Sequence, residues 1–182
     1  MNNYIFAILF FLPAGLANIA PILANKVPLL NRWKTPIDLG LEVRGKRMLG
    51  PNKSWRGLLT GTLAAGFLGA VVYPYLINKS QNIGNTPASS WLELFIIGAT
   101  IGFGALLGDA VESFFKRQKG IKSGSSWLLF DQLDYVFGAI IFSMIFVRLE
   151  LAHYLAVIVF YFVGHLVMTY LGYLLKLKDK PI

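Results

Sequence analysis

Asp109, Asp131 and Asp134 stand where long apolar runs give way to basic loops, and that placement narrows the chemistry open to them. Asp109 follows the apolar run Trp91–Leu107 and sits in the stretch GDAVESFFKRQKGIK, with Glu112, Ser113, Lys116, Arg117 and Lys122 behind it. Asp131 and Asp134 come next, in FDQLDYV, just before the chain turns apolar again. A carboxylate at a membrane boundary is costly to desolvate, so it keeps a cationic partner or a metal. Ammonium and guanidinium groups beside it suit a phosphate ligand. The combination predicts an integral membrane enzyme that uses a metal ion to handle a nucleotide or a phospholipid.

Helical geometry sharpens this reading. Asp109, Glu112, Ser113 and Lys116 fall within an arc of about 100°, with Arg117 at its edge. Asp131 and Asp134, three residues apart, share a face of the next helix. Magnesium favours a few carboxylates, retained waters and phosphate oxygens over a full protein cage. Asp109, Asp131 and Asp134 are therefore the candidate Mg²⁺ ligands. The competing reading, in which Lys116 and Arg117 merely neutralise these acids as interfacial ion pairs, stays open on spacing alone.

A second cationic segment, TPIDLGLEVRGKRMLGPNKSWRG, contains Asp38, Gly50, Asn52, Lys53, Ser54 and Arg56. Gly50-Pro51-Asn52-Lys53-Ser54 has the makings of a phosphate loop: glycine permits close backbone approach, lysine supplies charge and serine a hydroxyl. It lacks the Walker A spacing. Lys53 and Ser54 precede a helix expected to begin near Gly57, whose free amides and dipole would attract phosphate. Anionic lipid headgroups would suit such a basic loop as well.

The elements that must position these residues are membrane helices. The chain of 182 residues is 55% hydrophobic, with a mean hydropathy of +0.59. A span needs about 20 apolar residues, and five blocks meet or approach that length: Tyr4–Ala24, Leu58–Ile77, Trp91–Leu107, Tyr135–Leu149 and Leu151–Leu175. The expected fold is an all-α integral membrane protein of about five transmembrane helices, forming one membrane-embedded domain over residues 1–182. The first block has no basic region before it and no Ala-x-Ala-like site, so it reads as a retained helix. Cysteine is absent and only His153 and His165 occur, which excludes disulfides and thiolate metal sites and argues against a His-rich zinc site. No nucleic-acid partner is expected.

Of the 17 Lys and Arg residues, 15 fall on one side of a five-span topology, and Lys79 and Arg148 fall on the other. The positive-inside rule makes the crowded side cytoplasmic, with the N-terminus outside and the C-terminus inside. Two cytoplasmic loops, about 25–56 and 118–130, carry the candidate chemistry, whereas Asn78–Ser90 reads as a plain external loop. Measured from Trp91, Asp109 lies about 27 Å along its helix. Extending the fourth block's helix back to Asp131 brings the three aspartates to one membrane surface. Small residues at four-residue spacing (Gly57 and Gly61, Gly98 and Gly102, Gly104 and Gly108) are expected at helix contacts. Trp33, Trp55, Trp91 and Trp127 read mainly as interfacial anchors, His165 as a packing residue, and Glu93, Glu150 and Asp179 as solvated charges.

Taken together, Pro36-Ile-Asp38-x-Gly40, Gly50-x-x-Lys53-Ser54-Trp55-Arg56-Gly57, Gly108-Asp109-x-x-x-Ser113-Phe-x-Lys116-Arg117, Gly120-Ile-Lys122 and Asp131-Gln-Leu-Asp134 resemble the CDP-archaeol synthase family, a small relative of the phosphatidate cytidylyltransferases. The resemblance covers nearly the whole chain. It implies Mg²⁺-dependent transfer of CMP from CTP to a membrane lipid phosphate, releasing pyrophosphate, at a site facing the cytoplasm of a multi-pass cell-membrane protein. The acceptor implied is an unsaturated di-ether glycerol phosphate with two geranylgeranyl chains. Asp109, Lys116, Arg117, Asp131 and Asp134 would be catalytic. Asp38, Gly50, Asn52, Lys53, Ser54, Arg56, Ser113 and Lys122 would serve CTP and its phosphates, Asp38 either by ordering the loop or through a second metal. Ser54 stands where threonine is expected, Trp127–Phe130 where the family shows proline, and the His-Gly-Gly of the larger enzymes is missing. The alternative within the enzyme class is an ester-linked phosphatidate acceptor giving CDP-diacylglycerol. A small ion transporter or a scaffold binding anionic lipid fits less well, because the acids gather at one interface.

Overall fold

A computed structural model describes residues 2–79 and 90–174. The charges expected at Lys176, Lys178, Asp179 and Lys180, and most of the connection Asn78–Ser90, lie outside the described residues. Among those described, the chain is mostly helical: α1 (Asn3–Phe10), α2 (Leu12–Ala24), α3 (Pro28–Asn31), α4 (Trp55–Lys79), α5 (Trp91–Gln118), α6 (Phe130–Ser143) and α7 (Leu151–Leu174), with a hairpin of β1 (Glu42–Val43) and β2 (Lys46–Arg47) between α3 and α4. Among the described residues, four helical segments are long and apolar enough to cross a membrane: Asn3–Ala24, Trp55–Ile77, Trp91–Gln118 and Leu151–Leu171.

The first of these is broken where the sequence suggested one helix. Phe11 leaves the helical region at φ −90°, ψ 2°, and Pro13 occupies the first turn of α2, where a missing amide costs nothing. A break inside a bilayer frees carbonyls that lipid cannot satisfy. Two phenols take them: Tyr161 donates to the Ile8 carbonyl and Tyr73 to the Phe10 carbonyl, each at 3.0 Å. These rings join Phe6, Phe10 and Phe11 in the buried aromatic core between α1, α4 and α7.

Helix boundaries elsewhere follow local chemistry. Ser90 and Glu93 form a reciprocal capping box at the start of α5, so Glu93 is exposed, as expected of a solvated or interfacial charge, and also caps the helix. The Ser54 hydroxyl accepts the Gly57 amide at 3.2 Å and caps α4. A helix was expected from Asp131 to Leu149. Instead α6 ends at Ser143 after 14 residues, a length of about 21 Å. Its last turn is closed by the Ser143 hydroxyl donating to the Ile140 carbonyl at 2.7 Å. The turn beyond is tied to α7 through the Tyr154 hydroxyl, which accepts the Leu149 amide at 3.2 Å.

Glycine contacts set the helix spacing. A Cβ on Gly98 would lie 2.9 Å from the Gly69 Cα, so α4 and α5 pack backbone to backbone. Gly108 on α5 meets the Asp134 carbonyl, and Gly104 meets that of Gly138, so α5 and α6 press together at the candidate site.

The departure from an all-α chain lies in the loop between α3 and α4. Glu42 pairs with Arg47 and Val43 with Lys46, joined by Arg44 (φ 55°) and Gly45 (φ 70°). Two successive positive φ values are what a tight two-residue hairpin turn requires. A bridge between Pro36 and Ser54 closes the base of the loop. The Lys46 ammonium donates to the Gln118 carbonyl at 2.6 Å, pinning the hairpin to the C-terminal end of α5.

Candidate active site

The C-terminal half of α5, the start of α6 and the loop after α3 converge at one end of the bundle. Asp109 and Glu112 stand one turn apart on α5. Asp134 reaches them from α6 because Gly108 lets the two backbones touch. Asp109, Glu112 and Asp134 each offer a carboxylate oxygen within 4.8 Å of the others. The expected trio had Asp131 in place of Glu112. Asp131 lies alongside, but its oxygens are engaged: one accepts from the Lys116 ammonium at 2.5 Å and the other from the Trp127 amide at 2.9 Å. The physical reason is register, since the first residues of α6 meet the Lys116 turn of α5 and Asp134, one turn later, meets Asp109 and Glu112.

Cations are held against these acids. Lys53 donates to Asp109 from the loop. The Lys116 ammonium lies 3.2 Å from a Glu112 oxygen while donating to Asp131. That Glu112 oxygen is buried and accepts no hydrogen bond among the described residues. An acidic trio whose buried Glu112 oxygen is ion-paired with Lys116 but accepts no hydrogen bond among the described residues fits a hard divalent cation, which takes oxygen donors and tolerates waters and phosphate in its remaining positions.

Two cavities meet at this cluster. A polar cleft of about 700 Å³ is lined by Asn52, Lys53, Asp109, Glu112, Ser113, Lys116, Arg117 and Asp131, with Ser123–Ser126 at its rim. An apolar groove of about 720 Å³ runs between α5 and α6 among Phe115, Trp127, Phe130, Phe137 and Phe142. Glu112 lines both, Asp109 belongs to the cleft and Asp134 to the groove. The Asn52 amide donates to the Ser123 hydroxyl at 3.1 Å, joining the two loops over the cleft.

Other sequence candidates fall outside the cleft lining. Asp38 is buried within its own loop, where it accepts from the amides of Gly40 (3.1 Å), Leu49 (2.9 Å) and Gly50 (3.0 Å) and pairs with Arg47 at 3.2 Å. Burial raises its carboxyl, but the Arg47 guanidinium and these amides outweigh that and hold it well below the usual carboxylate range. Gly50 itself, at φ 101°, packs beside the Arg117 side chain and Ser123. Arg56 is buried and donates to the Leu30 carbonyl at 3.2 Å, bracing α3 against α4. The Lys122 carbonyl accepts from Arg117 at 3.1 Å. Ser54, besides capping α4, lines a smaller recess of about 290 Å³ with Asn52, Lys53 and Asp109.

The cleft also contains residues that sequence reasoning did not assign to it. Gln132 is buried, and its side-chain oxygen has no partner among the described residues. His165 and Thr169 reach the cleft from α7. Gln132 lies between Asp131 and Asp134 in the sequence, a signal that places it beside the cleft. No spacing in the sequence connects His165 to α5.

Comparison with known proteins agrees with this architecture. A CarS-like family model described as CDP-archaeol synthase matches residues 1–182. A CDP-archaeol synthase of Picrophilus torridus is 35% identical over 97% of this chain and 96% of its own length. One from Thermofilum pendens is 34% identical over 99% of this chain and 82% of its own length. A solved structure of an intramembrane enzyme for archaeal membrane lipid biosynthesis superposes with a TM-score of 0.73 at 29% identity, covering 89% of this chain and 91% of that one. With a family model matching residues 1–182, relatives about 35% identical over nearly its whole length and a shared helical frame, the chain belongs to the CDP-archaeol synthase family.

Proposed function

We propose that the protein is a Mg²⁺-dependent cytidylyltransferase that moves CMP from CTP onto the phosphate of an unsaturated di-ether glycerol lipid carrying two geranylgeranyl chains, giving CDP-archaeol and pyrophosphate. One observation carries the reading: a carboxylate cluster stands where a polar cleft and an apolar groove share a wall at Glu112. A water-soluble triphosphate and a membrane lipid need such a junction. Membership of the CDP-archaeol synthase family supplies the reaction.

In the proposed mechanism an oxygen of the acceptor phosphate attacks the α-phosphorus of CTP. The bond from that phosphorus to the oxygen bridging to the β-phosphate breaks, and pyrophosphate leaves with the electron pair. The acceptor is already anionic, so no protein nucleophile is required. Lys53, Lys116 and Arg117 hold the triphosphate in the cleft, with Asn52 and Ser113 as hydrogen-bonding partners, which is positional and electrostatic work. Asp131 fixes Lys116, while Asp38 orders the Gly50–Ser54 turn and leaves no oxygen over for a second metal. Lys122 adjoins the cleft rim. Asp109, Glu112 and Asp134 would hold Mg²⁺, which would supply positive charge to neutralise the phosphates. The apolar groove seats the lipid chains and keeps bulk water from the lipid side of the reacting phosphate.

In the membrane we place the site at the cytoplasmic surface of a single domain spanning residues 1–182. α6 and the turn after it form the fifth crossing, and the N-terminus lies outside. The 15-to-2 division of basic residues supports this orientation. The test is an assay of the purified protein in neutral detergent with labelled CTP and Mg²⁺. It offers either the di-geranylgeranyl ether phosphate or a diacyl glycerol phosphate. Label should enter the ether lipid preferentially, and absence of label in both lipids overturns the reading.

A further inference from the structure

The cations that line the two cavities differ. Lys53, Lys116 and Arg117 line the polar cleft, whereas Lys119 lines the apolar groove and is the one cation among its described lining residues. Lys119 is the C-cap of α5. Seven residues separate it from Glu112, which places both on one face of the helix, about 10 Å apart along the axis.

The Lys119 ammonium stands 4.5 Å from the centre of the Trp127 ring. That ring stacks on Phe130 at 4.1 Å. Leu129 between them adopts φ 72°, a conformation rarely taken by a side chain of its size, and this turn presents both rings to the groove. The Trp127 amide is in turn fixed by Asp131. The aromatic platform is therefore anchored to the same carboxylate that holds Lys116, and it steadies an exposed ammonium without cancelling its charge, as a carboxylate would.

We infer that Lys119, held over Trp127, is the ammonium that receives the phosphate of the acceptor lipid at the mouth of the groove. The inference rests on the cytidylyltransferase reading and adds to it the residue that recognises the acceptor head. Charge complementarity identifies the occupant. An apolar groove rimmed by aromatic rings, with one positive charge at one end and carboxylates along its wall, matches an amphiphile with long chains and an anionic head. Cytosine can stack on an aromatic ring, but CTP has no long apolar chains to fill the groove, and its phosphates find Lys53, Lys116 and Arg117 in the cleft. Lys53 and Lys116 face the cleft, whereas Lys119 faces the groove and, among the described residues, rests on a neutral ring.

Steady-state kinetics of wild type, Lys119→Gln and Lys119→Arg in neutral detergent test this, with the ether lipid phosphate as the sole anionic lipid and Mg²⁺–CTP binding followed by calorimetry. Lys119→Gln should raise the KM for the lipid phosphate about tenfold, as expected for loss of one charge-assisted contact. Its CTP affinity should stay within about twofold of wild type, and Lys119→Arg should recover most of the lost lipid affinity. An unchanged lipid KM overturns the inference, as does a loss of CTP affinity equal to the loss for lipid. A defect that appears only in anionic vesicles overturns it too, since it would assign Lys119 to bulk headgroups. If wild type binds no CTP, the underlying reading fails and this inference fails with it. If wild type is active and Lys119→Gln matches it, the inference alone fails.

Discussion

Lys53 and Asp109, 56 residues apart in sequence, form an ion pair that joins the loop after α3 to the carboxylate cluster on α5. The ammonium occupies a carboxylate that the proposed cation also needs, so the two compete. Lys53→Met should therefore tighten divalent-cation binding in the absence of nucleotide while weakening CTP binding. Both groups are partly exposed, so solvent screening limits the gain to about three- to tenfold. Titration of Mn²⁺ into the nucleotide-free protein, followed by paramagnetic resonance, reads it directly. A variant that binds Mn²⁺ more weakly than wild type would show that Lys53 does not compete for the site.

Glu112 and Asp131 are separable by experiment. Glu112→Gln, like Asp109→Asn and Asp134→Asn, should lower CMP transfer by about a hundredfold or more and weaken Mn²⁺ binding, with the protein still inserting and folding. Asp131→Asn should retain Mn²⁺ affinity. Its defect should appear as a higher KM for CTP, because Lys116 loses the partner that positions it. Loss of Mn²⁺ binding in Asp131→Asn alone would return that residue to the metal site.

The Asp38 anchor has a definite pH signature. Its carboxyl binds a proton less readily in the folded loop than in the unfolded chain. Its stabilisation is thus fully present above the unfolded value of about 3.9 and is lost only as pH falls below it, through the lower folded value. Proteolytic nicking of the loop between residues 25 and 54 should stay constant from about pH 5 to 8 on this account. Asp38→Asn should accelerate nicking throughout that range and raise the KM for CTP, while leaving Mn²⁺ affinity near wild type. Nicking in wild type that changes sharply near neutral pH would refute the anchor.

Orientation is testable because the chain has no cysteine. A cysteine at Glu150, exposed at the start of α7, should react with an impermeant reagent in intact cells. One at Glu42, exposed in the hairpin, should react only after lysis. The reverse pattern would place the site outside, away from nucleotide.

Much of this frame is readable from residue type and period. Four of the five apolar blocks correspond to helices long enough to span, because lipid leaves the backbone no other way to satisfy itself. Asp109, Lys53 and Lys116 could be singled out because charge beside an apolar run is conspicuous. Less legible was what depends on helices meeting. Whether Glu112 or Asp131 joins Asp109 is decided by the register of α5 on α6, which the contacts of Gly104 and Gly108 set and no single-helix pattern records. The break at Phe11 depends on phenols from α4 and α7, more than 60 and about 150 residues away. The short hairpin escaped notice because its two-residue strands have no period to detect.

Because Glu112 belongs to the walls of both cavities, the two proposed substrates approach the cluster from different phases and leave the same way. On the proposed reaction, pyrophosphate would depart into water through the cleft. The nucleotide-capped lipid would withdraw sideways into the bilayer, carrying its new head out past the aromatic rim. Neither product has to pass the other, so no fixed order of release is imposed. The lipid chains never leave hydrocarbon, and the cost of extracting two long polyprenyl tails into water does not enter the barrier.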